Sequence, residues 1–491
     1  MGRAPEASER ESVRFGTDGW RAIIAEDYTF DNVGRVAAGL VDYLRSPTRE
    51  RNLIYREWGS PFHPASGGVI IGHDTRFLSR EFAVHVARVV RDAGLPAILC
   101  DRFVSTPAVS YATKARGAAA GVMITSSHNP PIYNGFKIKS EYGGSAPGAV
   151  TDEVEARLPD VGPDPERSDD GIETADLVSP YMTMVREQID LDRLAGSPIH
   201  VVIDSMHGSA QSLVAGVFDD IGVEYTQIRG TVDVTFGGTN PEPLEKNLAP
   251  LRETIVGLRG LDRRVIGVVT DGDGDRASAM DELGGFIGGH RTYALILQHL
   301  VENRGWTGPI VVAFNLSDLI RRMAKAYGLP TIEIPIGFRW AAEQILTQGD
   351  VLMAGEESGS YTVRGHIPER DGVLCSLLLA EAAASSKLPP SEIIANLHRR
   401  FGPQEYGRTD LIIETRKEVV DHLLGSPPAM FGGHEVIAVE TLDGIKLRFE
   451  NGWLLFRASG TEPKLRMYCE METTAAVGEM LAAAEAYARG V

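Results

Sequence analysis

Short runs of Val, Ile and other apolar residues recur along the chain, each ended by a polar turn and followed by a segment of helical periodicity. They lie at GVIIGHDTR (68–76), AAGVMITSSHNP (119–130), HVVIDSMHGSA (200–210), RVIGVVTDGDGDR (264–276) and PIVVAFNLSDL (309–319). A run with no polar alternation suits a strand covered on both faces, and strands alternating with helices form the α/β pattern. Two helical stripes are clear: Val33, Val36, Ala37, Leu40, Val41 and Leu44, then Leu213, Val214, Val217, Phe218 and Ile221. Gly222 and Gly328 are read as helix stops.

The pattern changes in three places. Pro, Gly, Asp and Glu crowd together between Gly143 and Asp176, and a second break falls at SSKLPPS (385–391). From about Arg408 the chain alternates as β-strands (DLIIET, HEVIAVETLDGIKLRFENGWLLFRAS) and ends in an alanine-rich helix, which predicts a separate α+β domain. Segment 46–66 reads as a surface insertion. The expected domains are 1–165, 175–280, 281–390 and 400–491, in keeping with about 150 residues per domain.

With 49 Lys+Arg against 67 Asp+Glu, the formal charge is −18. A duplex-binding protein needs the opposite excess, so nucleic acid is not an expected partner. An anionic ligand would need a local cluster of Arg and Lys acting against that field. The three cysteines, Cys100, Cys375 and Cys469, lack CxxC spacing, which argues against a zinc site and for a reducing compartment. The polar start, MGRAPEASERES, carries no secretory apolar stretch, and no run approaches a membrane span. A cytoplasmic protein without a membrane partner is expected, with monomer and dimer both open.

Asp271-Gly-Asp273-Gly-Asp275-Arg276 follows directly on the strand VIGVVT. Ligands gather at such strand ends in open α/β sheets, and three carboxylates on a tight loop can converge on a divalent cation, Mg²⁺ being the natural one. An EF-hand is disfavoured because Arg276 stands where that loop needs Gly and a strand precedes it. Thr125-Ser126-Ser127-His128-Asn129-Pro130 also ends an apolar strand. Neighbours in an extended segment point apart and no GxSxG elbow is present, so Ser127 and His128 are expected to diverge and a hydrolase triad is not expected. Arg457-Ala-Ser459-Gly460-Thr461-Glu462-Pro463 offers a guanidinium, two hydroxyls and an open amide, with Lys464 and Arg466 nearby; that donor set suits a phosphate or a plain polar hairpin. Gly355-Glu356-Glu357-Ser358-Gly359-Ser360 offers acceptors suited to sugar hydroxyls, though a solvated acidic loop would look the same.

In this order the four loops resemble those of the α-D-phosphohexomutase superfamily, the phosphoglucomutase and phosphomannomutase enzymes. Further matches are Phe15-Gly-Thr-Asp-Gly-Trp-Arg21, Gly72-His-Asp-Thr-Arg76, Asn134-Gly-Phe-Lys137, Asp204-Ser-Met-His207-Gly208 and Asn240-Pro-Glu-Pro243, so the likeness covers almost the whole chain. It implies three α/β domains with mixed sheets and a C-terminal α+β domain around a central cleft, each contributing one loop. It also implies that Ser127 carries the phosphoryl group and that Asp271, Asp273 and Asp275 hold Mg²⁺ with a phosphoserine oxygen. Lys137 and Arg21 lie beside the reaction by the same likeness, with Lys137 a base only if its pKa is lowered. His128 supports the phosphoserine, Arg276 and Arg339 add positive charge, Glu356 and Ser358 meet sugar hydroxyls, and Arg457, Ser459, Gly460 and Thr461 form the distal phosphate pocket. The implied reaction converts glucose 1-phosphate to glucose 6-phosphate through glucose 1,6-bisphosphate.

Three positions depart from the superfamily pattern. Ser126 stands where Ala is common, and Arg339 where glucose-type members commonly have Lys; Arg binds as a planar fork and does not release its proton. GEESGS has Ser360 where mannose- and glucosamine-type members have His, which favours glucose while leaving dual activity open, because the sugars differ at few atoms.

Overall fold

The computed structural model describes residues 13–460 and 463–490. Each of the first four apolar runs quoted above becomes a buried strand: Val69–His73, Ala120–Ile124, Ile199–Asp204 and Arg264–Thr270; the fifth becomes Ile310–Ala313. The first sheet runs in the order Trp20–Ile23, Tyr133–Ser140, Ala120–Ile124, Val69–His73, Ala97–Cys100, Ile172–Ala175, with Gly144–Ser145 also on Tyr133–Ser140. Its inner strands are parallel, whereas Trp20–Ile23 and Tyr133–Ser140 run antiparallel to their neighbours. The second sheet orders Phe286–Ile287, Ala277–Met280, Arg264–Thr270, Ile199–Asp204 and Glu224–Ile228; the third orders Thr331–Ile334, Ile310–Ala313, Met353–Gly355 and Tyr361–Val363. Both are mixed. The fourth, Glu405–Ile412, Lys464–Met471, Gly452–Ala458, Ile445–Phe449 and Ala438–Glu440, is wholly antiparallel and packs against helices Arg416–Gly425 and Thr474–Gly490. The molecule is therefore three α/β domains followed by an α+β domain.

The two apolar stripes lie on helices Phe30–Arg45 and Leu213–Ile221, and every member is buried except the half-buried Ile221. Gly222 and Gly328 do end helices, at φ of 71° and 70°, where any Cβ would be strained. One apolar core runs through the first three domains. Helix Gly372–Ser385 lies within it, apolar on nearly every side, and packs on the second sheet. The fourth domain has its own core, joined to the third by a small cluster of Phe314, Trp453, Leu455 and Tyr468.

Three sequence expectations change. The Pro- and acid-rich stretch after Gly143 holds helix Gly148–Glu155 and strand Ile172–Ala175, which pairs with Ala97–Cys100. The first sheet thus extends past residue 165, and the polar composition belongs to an edge strand. The break at 385–391 is a turn between helix Gly372–Ser385 and helix Pro390–Phe401, which packs back on helices Gly289–Gln298 and Asp318–Tyr327 and on strand Arg264–Thr270. Segment 46–66 is anchored: the Arg49 guanidinium is buried, pairs with Glu141, and donates to the carbonyls of His63 (3.0 Å) and Ala119 (2.9 Å).

Candidate active site

Strand Ala120–Ile124 delivers Ser127 to the end of the first sheet with φ of +50°, in the left-handed region. For a residue with a side chain that conformation costs about 1–3 kcal/mol and persists only where the surroundings impose it. Arg76 imposes much of it. Its buried guanidinium donates to the carbonyls of Ser127 (2.5 Å), Asn129 (2.8 Å), Pro130 (2.9 Å) and Tyr133 (3.1 Å), and its charge is matched by Asp74 at 3.2 Å. Thr125 Oγ1 receives the Ser127 amide at 2.9 Å and donates to Asp74 Oδ2 at 2.6 Å. The expected divergence of Ser127 and His128 is overturned, because the segment is not extended there: His128 Nδ1 lies 3.3 Å from Ser127 Oγ. Burial first, and then Arg276, Arg21, Lys137 and Arg76, hold the His128 pKa well down, so the imidazole is neutral. Glu242 Oε1 is 3.9 Å from His128 Nε2, beyond hydrogen-bond reach. The Ser126 hydroxyl is buried with no hydrogen-bond partner among the described residues.

The second sheet brings its loop to the same point. Asp271, Asp273 and Asp275 are fully buried and each offers an oxygen within 4.8 Å of the others. Ser127 Oγ donates to Asp271 Oδ2 at 2.8 Å. Asp271 Oδ1 accepts from the amides of Asp275 (3.0 Å) and Arg276 (3.1 Å), which curls the loop on itself. Gly272 permits the approach: a Cβ there would stand 2.6 Å from the Ser127 carbonyl oxygen. The residues fit a divalent cation by a specific mark. Asp273 Oδ1 and Asp275 Oδ1 are buried carboxylate oxygens with no hydrogen-bond partner among the described residues, which is costly unless a cation meets them.

Around these carboxylates runs a closed ring of alternating charge. Lys137 Nζ lies 2.8 Å from Asp18, 2.8 Å from Asp273 and 2.9 Å from Asp275. Arg370 pairs with Asp18 and lies 2.8 Å from Asp275. Burial alone would lower the Lys137 pKa, but Asp18, Asp273 and Asp275 outweigh it and raise it. The Lys137 ammonium is thus held among three carboxylates. Burial and the neighbouring Asp273 and Asp275 push Asp271 well up, whereas Lys137 overcomes burial at Asp273 and holds it down. Arg21 donates to Asn129 Oδ1 at 3.1 Å and lies 3.7 Å from Asp18. Arg276 Nε is 3.9 Å from Asp271. Arg21, Arg76, Lys137, Arg276 and Arg370 form the local cation cluster that an acidic chain requires for an anionic ligand.

The other predicted residues make their hydrogen bonds, ion pairs and ring contacts outside this cluster. Glu356 accepts from the Gly337 amide at 2.7 Å; burial and then Glu357 push its pKa up to about 7, against the pull of Arg370 and Arg276. Ser358 Oγ is 3.0 Å from Ser360 Oγ. Arg339 stacks on its neighbour Trp340 at 5.2 Å and points toward Gly148 at the start of helix Gly148–Glu155. Arg457 Nε is 3.0 Å from Asp443, whose Oδ2 also receives the Ile336 amide at 2.9 Å, linking the fourth domain to the third. Ser459 accepts from Arg416 at its carbonyl (3.1 Å), Gly460 is exposed, and Thr461 lies outside the described residues.

Several site residues escaped the sequence reading. Asp18, Asp74 and Arg76 sit inside motifs quoted above, but nothing in the spacing distinguishes them from turn residues. Thr106 donates to Asp273 Oδ2 at 2.5 Å from the start of helix Thr106–Ala115. Arg370 stands in HIPERDG (366–372), a charged cluster wedged between apolar runs; that contrast was the available signal.

Comparison with known proteins agrees with this geometry along the whole chain. Phosphoglucomutase/phosphomannomutase profiles match in order: alpha/beta/alpha domain I over residues 12–162, domain II over 179–285, domain III over 288–401, and the C-terminal domain over 423–486. The chain is 28% identical to a phosphoglucomutase/phosphomannomutase of Thermococcus kodakarensis, covering 95% of this chain and 96% of that one. It is also 28% identical to a phosphoglucosamine mutase of Methanococcus vannielii, covering 84% and 90%. A solved phosphomannomutase candidate from Thermus thermophilus superposes with a TM-score of 0.83 at 31% identity, over 98% of this chain and 100% of that one. Four domain matches in sequence, a shared fold and a serine facing three aspartates lead to one conclusion: this chain belongs to the phosphoglucomutase/phosphomannomutase family and is a phosphohexomutase.

Proposed function

We propose that the protein is a phosphoglucomutase, converting glucose 1-phosphate and glucose 6-phosphate through a phosphoserine at Ser127 and a glucose 1,6-bisphosphate intermediate. The observation that carries the reading is the 2.8 Å contact between Ser127 Oγ and Asp271 Oδ2 at a loop with two further orphaned carboxylate oxygens. Asp271, Asp273 and Asp275 would hold a divalent cation, Mg²⁺ by the hardness of the donors, which supplies charge neutralisation to a phosphoryl group in transfer. Phosphorylated Ser127 gives its phosphoryl group to O6 of the sugar: the P–O6 bond forms as P–Oγ breaks, and the O6 hydroxyl proton ends on Ser127 Oγ, which lies 2.8 Å from Asp271 Oδ2. When the bisphosphate has turned and returns the O1 phosphate, P–Oγ forms as P–O1 breaks, and the serine hydroxyl proton, held toward Asp271 Oδ2, passes to O1. Arg21, Lys137 and Arg276 hold positive charge around the transferring group, and neutral His128 borders Oγ.

Arg457, Ser459, Gly460 and Thr461 take the phosphate that is not reacting, at either end of the sugar. Glu356 and Ser358 meet O3 and O4, which nearly exchange places when the intermediate turns. Glucose preference rests on Ser360 in GEESGS. A second reading, dual activity with mannose phosphates, is favoured by the names of the relatives above. Supplying glucose, mannose and glucosamine 1-phosphates in parallel, with Mg²⁺ and a trace of the matching bisphosphate, separates the readings. Glucose 6-phosphate as the dominant product supports ours; a strong preference for mannose or glucosamine overturns the substrate, and release of inorganic phosphate alone overturns the mutase.

A further inference from the structure

Away from the serine, a cavity of about 240 Å³ opens between the third and fourth domains. Asp318, Arg322 and residues 401–403 form one wall, and residues 449–452 and 470–472 form the other. Glu470 is the buried acid of its lining. Only 3% exposed, it accepts the Asp318 amide at Oε1 (3.1 Å), while Oε2 has no hydrogen-bond partner among the described residues. A buried carboxylate oxygen left in that state is costly until a donor or cation reaches it. Burial and then Asp318 push the Glu470 pKa up to about 7, against the pull of the Ser317 hydroxyl, Arg322 and the Asp318 amide.

The remaining groups in the walls decide what could meet it. Asp318 is already matched by Arg448 (2.6 Å) and Arg321 (3.3 Å), and the Arg322 guanidinium is turned onto the carbonyls of Phe401 and Pro403. Glu450 and Glu472 are exposed at the mouth with no ion pair among the described residues. Phe401, Phe449 and Met471 supply apolar surface in the same lining. A divalent metal needs several converging oxygens, and Glu470 offers one. One buried carboxylate and two exposed ones in a lining that also carries apolar side chains suit a cation with charge at each end of an alkyl chain.

We propose that this interdomain cavity binds a linear alkyl diammonium, one ammonium on Glu470 and the other at Glu450 and Glu472. Glu470 lies on strand Lys464–Met471, which begins directly after Pro463 of the RASGTEP motif. A ligand in the cavity therefore braces the fourth domain, and with it the distal phosphate loop, against the third.

Calorimetric titration of the full chain with butane-1,4-diamine, at constant ionic strength and with Mg²⁺ saturating the aspartate loop, tests the site. One saturable binding event is expected, with butylamine and the Glu470→Gln variant each weaker by about tenfold or more, the effect of losing one charge-assisted hydrogen bond. Should Glu470→Gln fail to fold, the exposed Glu472→Gln variant serves, with weakened diamine binding as the expected result. Absence of saturation, equal binding of butylamine and diamine, or unchanged binding in whichever variant folds would overturn the proposal.

Discussion

Ser127 holds a backbone conformation that only its surroundings sustain, and Arg76 is the main surrounding. Its planar fork reaches four carbonyls of the serine loop, which a lysine cannot do with a single ammonium. Arg76→Lys is expected to keep the charge beside Asp74, cost about 2–3 kcal/mol of stability, and lower kcat more than it raises KM. Urea melts and steady-state kinetics on one preparation check both parts; wild-type kcat would show that the loop holds its shape without the fork. Asp273 makes a second residue-scale case. Asp273→Asn removes a ligand charge yet preserves size and the Thr106 hydrogen bond, so the variant is expected to need at least about tenfold more Mg²⁺ for half-maximal activity, a loss of roughly one charge-assisted contact. An unchanged Mg²⁺ titration contradicts its place among the ligands.

At the scale of elements, the serine and metal loops touch through Gly272. Its φ is outside the positive range, so alanine there is tolerated by the backbone itself, but the added methyl would meet the Ser127 carbonyl at 2.6 Å and Pro241 at 3.1 Å. Gly272→Ala is expected to push two loops of different domains apart, lowering kcat at least about tenfold, since about 1.4 kcal/mol of lost alignment suffices, while the apolar core behind the loops stays packed. Near-wild-type turnover would show that the loops need not approach so closely. The same loops show what a sequence can disclose. DGDGD on a strand end and SSHNP on another were legible because strands and their turns are local, and the apolar runs fixed where those strands lie. The left-handed turn at Ser127 was not legible, because long-range contacts from Arg76 impose it against local preference. Arg370 was missed for a related reason: its meaning lies in Asp18, 352 residues away in the chain. The composition breaks at 143–176 and 385–391 misled because polar residues mark any exposed turn or edge strand, including those inside a domain.

For the whole molecule, the interface of the third and fourth domains carries a buried charge with a measurable pH signature. Lys446 is fully buried, donates to the Phe314 carbonyl and lies over the Phe314 ring at 3.8 Å; burial and then Arg321 and Arg448 bring its pKa down from 10.5 to about 8, against Glu333 and Glu440. Below pH 8 both folded and unfolded chains carry this proton, so the penalty is present in full. Between about 8 and 10.5 only the unfolded chain retains it, so stability rises with pH through that window, by about 3 kcal/mol in all. The difference in unfolding free energy between wild type and Lys446→Met should therefore shift in favour of wild type from about pH 7.5 to about pH 10; a flat difference would contradict it. Among the described residues, no helix is long and apolar enough to cross a membrane. The ring of Lys137, Asp18, Arg370 and Asp275 has members from each of the first three domains. None of the three can move off without stripping partners from a buried ion, so their backbone amides near the ring should take up deuterium in a single concerted opening, while the fourth domain exchanges on its own clock.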